Sequence, residues 1–220
     1  MIESKSDMAT TLPELPPKSG TVRRLVIFLH GVGADGNDLL SLGEFFDLPD
    51  TQYVSPHAPQ PFDMAPFGHQ WFSLLDRSPA SLLSGAQTSA PWLNDFIDEQ
   101  MVRFKLTPAD VALVGFSQGT MMALYAGLRR AVPLAGIVGY SGALVAPELL
   151  SAQITSRPPV CLIHGEEDVV VPFGALAQAE DALRAANVPV EAHARPMLGH
   201  GIDEKGLQFA AAFLKRCLAI

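Results

Sequence analysis

The chain has 220 residues, 48% hydrophobic and 17% charged, with 15 Lys plus Arg against 23 Asp plus Glu for a formal charge of −8. That length suits one domain, and the apolar share is too large for a disordered chain. The acidic balance repels phosphate backbones and anionic lipid, which argues against nucleic-acid binding and electrostatic membrane binding.

Residues 1–20 are polar, carry Pro13, Pro16 and Pro17, and contain no apolar signal core. They are expected to be a loosely held lead-in to a single domain over residues 21–220, in a cytoplasmic protein. Residues 25–29 form a continuous apolar run, the pattern of a strand buried on both faces. A shorter strand at residues 52–55 ends at Pro56. Residues 57–89 read as a long, proline-rich loop carrying Met64, Phe67, Trp71, Phe72, Leu74 and Leu75. A loop so long and apolar is expected to form a wall of a substrate site. Trp92, Phe96, Ile97 and Phe104 then fall along one helical stripe.

Residues 111–114 predict another buried strand, and Gln118 to Leu128 an almost wholly apolar helix. Residues 111–128 lack charge for 18 positions, the minimum for a membrane span. Gly115, Ser117, Gln118, Gly119 and Thr120 interrupt the run, as expected of a buried strand turning into a buried helix. Buried-strand patterns recur at residues 135–138 and 160–163, with a weaker one at 190–194. Amphipathic helices are predicted at 173–186 and 206–218. Such alternation implies a mostly parallel sheet with helices on both faces. Cys161 and Cys217 sit far apart in apolar settings, which fits two buried thiols better than a disulfide.

Gly115-Phe116-Ser117-Gln118-Gly119 is a G-x-S-x-G pattern between a predicted strand and a predicted helix, the setting of a nucleophilic serine on a strained turn. A serine hydroxyl needs a base, and the base an orienting acid. Asp168 follows the strand ending at Ile163 and precedes Val169-Val170-Val171-Pro172, which can hold a carboxylate rigid. Glu166 and Glu167 are rivals on the same loop. His200, in Gly199-His200-Gly201, is the expected base; His193 lies within a strand and reads as structural. His57 and His69 could reach the pocket, while His164 reads as a hydrogen-bonding loop residue. An oxyanion hole needs two backbone N–H donors, and Gln118 and Val32 are placed to supply them.

Gly31-Val32-Gly33-Ala34-Asp35-Gly36 is also a literal dinucleotide fingerprint after a strand. That reading wants an acidic residue at the end of the next strand, which here runs Val54-Ser55-Pro56. There is no phosphate-binding lysine loop and no zinc-protease helix, so no metal ligand is predicted.

Together with Gln70-Trp71-Phe72, Ser141-Gly142 and the loop from His164 to Pro172, these motifs resemble the carboxylesterase and acyl-protein thioesterase family of α/β-hydrolases. The resemblance runs from about residue 22 to the end of the chain. It implies a triad of Ser117, Asp168 and His200, oxyanion donors at Val32 and Gln118, and no cofactor. It further implies hydrolysis of carboxylic esters or thioesters. Two positions depart from the family pattern: Thr120 stands where the family usually has Gly, and Ser73 where it usually has Asp. Too few residues separate Ser141 from Asp168 for a cap domain, which predicts an open site for short to medium acyl chains. The expected partner is a small acyl ester or an acylated carrier, without nucleic acid or stable membrane insertion. Homodimerisation is left open.

Overall fold

The computed structural model describes residues 12–220; residues 1–11 of the predicted lead-in lie outside the described residues. The rest of the lead-in is more structured than expected. Strand β1 (Glu14–Leu15) pairs antiparallel with β3 (Thr51–Val54), Glu14 opposite Val54 and Leu15 opposite Tyr53. Prolines on either side hold this segment extended, and Ser55 N–H donates to the Pro13 carbonyl at 2.9 Å.

Among the described residues seven strands form one sheet in the order β1, β3, β2 (Arg24–Leu29), β6 (Val111–Phe116), β7 (Gly136–Tyr140), β8 (Val160–Gly165) and β9 (Val190–Arg195), parallel from β3 onward. The central strands lie between helical layers on both faces, which is why their sequences are continuously apolar instead of alternating. The outer strand β9 carries Glu191 and His193 and is only half-buried, which explains its weaker pattern.

On one face lie α2 (Pro79–Phe104), α3 (Gln118–Gly127), α4 (Leu150–Gln153) and α5 (Gly174–Ala185). On the other lie α1 (Leu42–Phe46) and α6 (Glu204–Cys217). No helix among the described residues is long and apolar enough to cross a membrane.

The predicted loop over residues 57–89 needs correcting. Its first part holds a small hairpin of β4 (Gln60–Pro61) and β5 (His69–Gln70). Its last part is helix, because α2 starts at Pro79 and runs 26 residues. Ser78 caps it by accepting a hydrogen bond from Ser81 N–H at 3.3 Å, and Pro79 takes the first turn, where its missing N–H costs nothing.

The register places the site. Leu25 through Leu29 pair with Val111 through Gly115, so the loops leaving β2 and β6 emerge side by side. From β2 the chain crosses to β3 on one flank, and β6 takes the opposite flank. The crevice at that reversal, beyond the carboxyl ends of the strands, is where open α/β sheets bind ligands.

Candidate active site

Ser117 joins β6 directly to α3 and adopts φ 53°, ψ −115°, a left-handed conformation costing a non-glycine residue about 1–3 kcal/mol. The turn is held from both sides. Ser117 N–H donates to the Tyr140 carbonyl at 2.9 Å, and its own carbonyl accepts from Thr120 N–H at 3.0 Å. Gly119 must lack a side chain, since a Cβ there would lie 1.8 Å from the Leu29 carbonyl oxygen. The helix can therefore pass against the end of β2, and Ser117 stays 7% exposed at the crevice.

Asp168 lies just beyond β8. Its Oδ1 accepts from the N–H groups of Val170 and Val171, both at 2.9 Å, and its Oδ2 lies 2.8 Å from His200 Nδ1. Burial pushes the carboxyl up, but the hydrogen bonds from His200, Val171 and Val170 outweigh it and hold the group below the usual carboxylate range. The rival carboxylates Glu166 and Glu167 are both exposed.

His200 sits in the loop between β9 and α6. Arg195 closes the base of that loop through an ion pair with Asp203 at 2.9 Å, and Asp203 also caps α6 through Gly206 N–H at 2.8 Å. The Ser141 hydroxyl donates to the Gly201 carbonyl at 3.3 Å. The imidazole lies against Phe116, the residue before Ser117, with ring centroids 4.9 Å apart. His193 instead stacks on Phe209 in α6 at 3.9 Å, under the other face of the sheet.

In the loop after β2, Gly33 N–H donates to the His69 carbonyl at 2.8 Å and Ala34 N–H lies 3.3 Å from the Gly31 carbonyl. The N–H groups of Val32 and Gln118 donate to no acceptor among the described residues. The dinucleotide reading of this loop lacks its helix. Turns follow Gly36, Asp35 accepts from Asn37 N–H at 2.7 Å, and α1 begins only at Leu42.

Three polar side chains support this arrangement: His164 hydrogen-bonds as expected, while Gln118 and His30 act in ways the motifs did not reveal. Gln118 Oε1 accepts from Trp71 N–H at 2.9 Å while its Nε2 donates to the Phe72 carbonyl at 2.7 Å. His30 is buried with Nδ1 2.7 Å from the Gly31 carbonyl and Nε2 accepting from Ala58 N–H at 3.0 Å, which specifies the neutral Nδ1–H tautomer. His164, expected on a loop, lies within β8, with its Nε2 2.9 Å from the Val171 carbonyl and 3.2 Å from Asp168 Oδ2. The available signal was position: each is a polar residue at the end of an apolar run, where burial demands a partner.

The predicted acyl wall separates into two groups. Met64, Phe67 and Leu75 are 73%, 75% and 72% exposed. Trp71 and Phe72 are 0% and 2% exposed, so they are core side chains and not groove lining. The indole N–H of Trp71 donates to the His30 carbonyl at 2.9 Å, and Ser89 bonds the Trp71 carbonyl. Leu74 is half-buried against the same core.

Residues 11–218 match the model of the phospholipase/carboxylesterase family. The chain is 27% identical to acyl-protein thioesterase 1 of Gibberella zeae, covering 94% of this chain and 95% of the relative. Its identity to esterase YpfH of Escherichia coli is 28%, over 88% and 82% of the two chains. The solved structure of esterase PE8 superposes with a TM-score of 0.90 at 44% identity, covering 94% of this chain and 99% of PE8. The chain belongs to the phospholipase/carboxylesterase family of α/β-hydrolases and is a serine hydrolase of the carboxylesterase and acyl-thioesterase type.

Proposed function

We propose that this cytoplasmic enzyme hydrolyses esters of short to medium acyl chains, and thioesters by the same chemistry, through Ser117, His200 and Asp168. The observation that carries the reading is convergence: an ionised, hydrogen-bonded Asp168 orients His200 beside the strained turn that presents Ser117. In the first half-reaction, Ser117 Oγ attacks the carbonyl carbon and its proton passes to the free Nε2 of His200. The carbonyl oxygen gains charge facing the N–H groups of Val32 and Gln118. The alcohol or thiol then departs with the proton from His200, leaving an acyl-enzyme. Water, deprotonated by the same imidazole, releases the acid and restores Ser117. Asp168 keeps the imidazole in the tautomer that presents a lone pair to the serine.

No step calls for a cofactor or metal. The substrates that suit such a site are small acyl esters or an acylated carrier. The net charge of −8 argues against nucleic acid.

Two measurements test the reading together. A fluorophosphonate probe should label Ser117, and Ser117→Ala should abolish labelling and lower kcat on the order of 10⁶-fold. More than a tenth of wild-type turnover in a clean Ser117→Ala preparation would overturn the assignment.

A further inference from the structure

Away from the active site, at the outer edge of the sheet, three donors of different chemistry converge beneath α6. Cys161 on β8 and Glu191 on β9 are direct register partners, and His193 follows two residues on, along the same face. The thiol sulfur, a carboxylate oxygen and an imidazole nitrogen lie within 4.8 Å of one another. His193 Nε2 and Glu191 Oε1 are 3.5 Å apart, well beyond the roughly 2.7–2.9 Å of a charge-assisted hydrogen bond. That separation is close to the edge of about 3.3 Å in a tetrahedron whose metal bonds are about 2.0–2.1 Å long.

Both outer donors are held by other contacts. The His193 ring lies flat on Phe209, with ring centroids 3.9 Å apart and planes 7° apart, and the second Glu191 oxygen pairs with Arg216 at 2.7 Å. Such contacts orient ligands before an ion arrives. Cys161 is fully buried, while Glu191 and His193 on the outermost strand are half-exposed, so an entry path exists from solvent. Of the three, Glu191 also lines a cavity of about 430 Å³, together with Pro159, Val190, Phe213 and Cys217. None of the three donors takes part in the ester chemistry.

We propose that Cys161, Glu191 and His193 bind a borderline divalent ion of the zinc class, with a fourth position left to water. A sulfur and an imidazole among three donors disfavour calcium and magnesium, which take oxygen, and favour zinc or cobalt. The cysteine loses its proton to solvent on binding. The bound ion would tie β8 to the edge strand β9, whose end leads into the loop carrying His200. Its role is therefore structural.

The test uses the full-length enzyme, reduced and freed of metal by a chelator. Zinc is titrated against a chromophoric competitor, and cobalt is added separately to read thiolate-to-cobalt charge-transfer absorption. The expected result is one zinc per chain and a charge-transfer band in the wild type. Cys161→Ser should remove the band, and His193→Gln should weaken zinc binding at least tenfold. His193 is half-exposed, so its variant should fold even if Cys161→Ser does not, and esterase activity within about twofold of wild type serves as the control for folding. Absence of the band in the wild type, or zinc binding unchanged in His193→Gln, overturns the proposal. The latter result would place any bound zinc elsewhere, for instance on the adjacent rings of His57 and His69.

Discussion

Asp168 gathers more directed contacts than its two neighbouring carboxylates, and the proposal of Asp168 as the acid rests on them. Three carboxylates crowd one short loop, and sequence order alone ranks them weakly. Two point to solvent, and the third accepts two backbone N–H bonds and faces His200. Asp168→Asn should therefore lower kcat by about 10⁴-fold through the wrong imidazole tautomer, while Glu166→Gln and Glu167→Gln stay near wild type. A crippled Glu166→Gln enzyme beside a mild Asp168→Asn enzyme would reverse that ranking. His164 has a subtler part. Its Nε2 faces two oxygens, the Val171 carbonyl and Asp168 Oδ2, so it carries hydrogen and steadies the carboxylate without touching substrate. Losing one such bond is worth about 1.4 kcal/mol, so His164→Gln should lower kcat about tenfold and leave KM in place. A change confined to thermal stability would make His164 purely structural. Thr120 also finds a reason here. Its hydroxyl donates to the Tyr140 carbonyl at 2.9 Å, and its Cβ would sit only 2.4 Å from a Cβ placed on Gly142, so the side chain fills room that glycine leaves.

At the scale of elements, legibility tracked how many faces a segment buries. The continuous apolar runs of β2, β6 and β8 identified them, because both of their faces lie under helices. The N-terminal half of α2 was hidden by Gly85, Pro91 and a scatter of serines, all poor helix formers. Tertiary packing overrides them: Gly85 sits where a Cβ would lie 2.6 Å from the Phe72 ring, and Leu93 and Ile97 are fully buried. The same packing divides the aromatic loop in a way composition could not, since an apolar residue on a loop can face either the core or the solvent. Trp71→Ala should cost about 3–5 kcal/mol of stability, lowering Tm while the acyl-length profile of surviving enzyme keeps its shape. Met64→Ala and Phe67→Ala should leave Tm within a degree or two and flatten the rise of kcat/KM with acyl length. Each methylene buried is worth about 0.8 kcal/mol, nearly fourfold in binding. Unchanged length profiles in both exposed-residue variants would remove this loop from the acyl site.

For the molecule as a whole, stability and site are coupled through His30 at the carboxyl end of β2. Its ring holds the loop after β2 through Gly31 and the long loop through Ala58, and its carbonyl receives the Trp71 indole. Burial pushes the imidazole down to about 4, against the upward pull of its hydrogen bond to Gly31. An unfolded histidine titrates near 6.5, so between about 6.5 and 4 the unfolded chain takes up a proton that the folded chain refuses. Above that window both states hold the ring neutral and the term vanishes. As the pH falls through the window the folded state loses stability, by at most about 3 kcal/mol at the lower end. The depressed carboxyls of Asp168 and Asp203 act mainly further down, below the unfolded carboxylate value near 3.9, while Asp38, raised by burial and by Asp35, takes up its proton more readily when folded and opposes part of the loss. The wild-type Tm should therefore decline steadily from pH 7 to pH 4.5. A neutral replacement, His30→Gln, should start from a lower Tm, because it cannot match both hydrogen bonds, yet decline less steeply with acid. Thermal unfolding of the two proteins across that range decides the matter: parallel slopes would mean that another buried group carries the acid sensitivity.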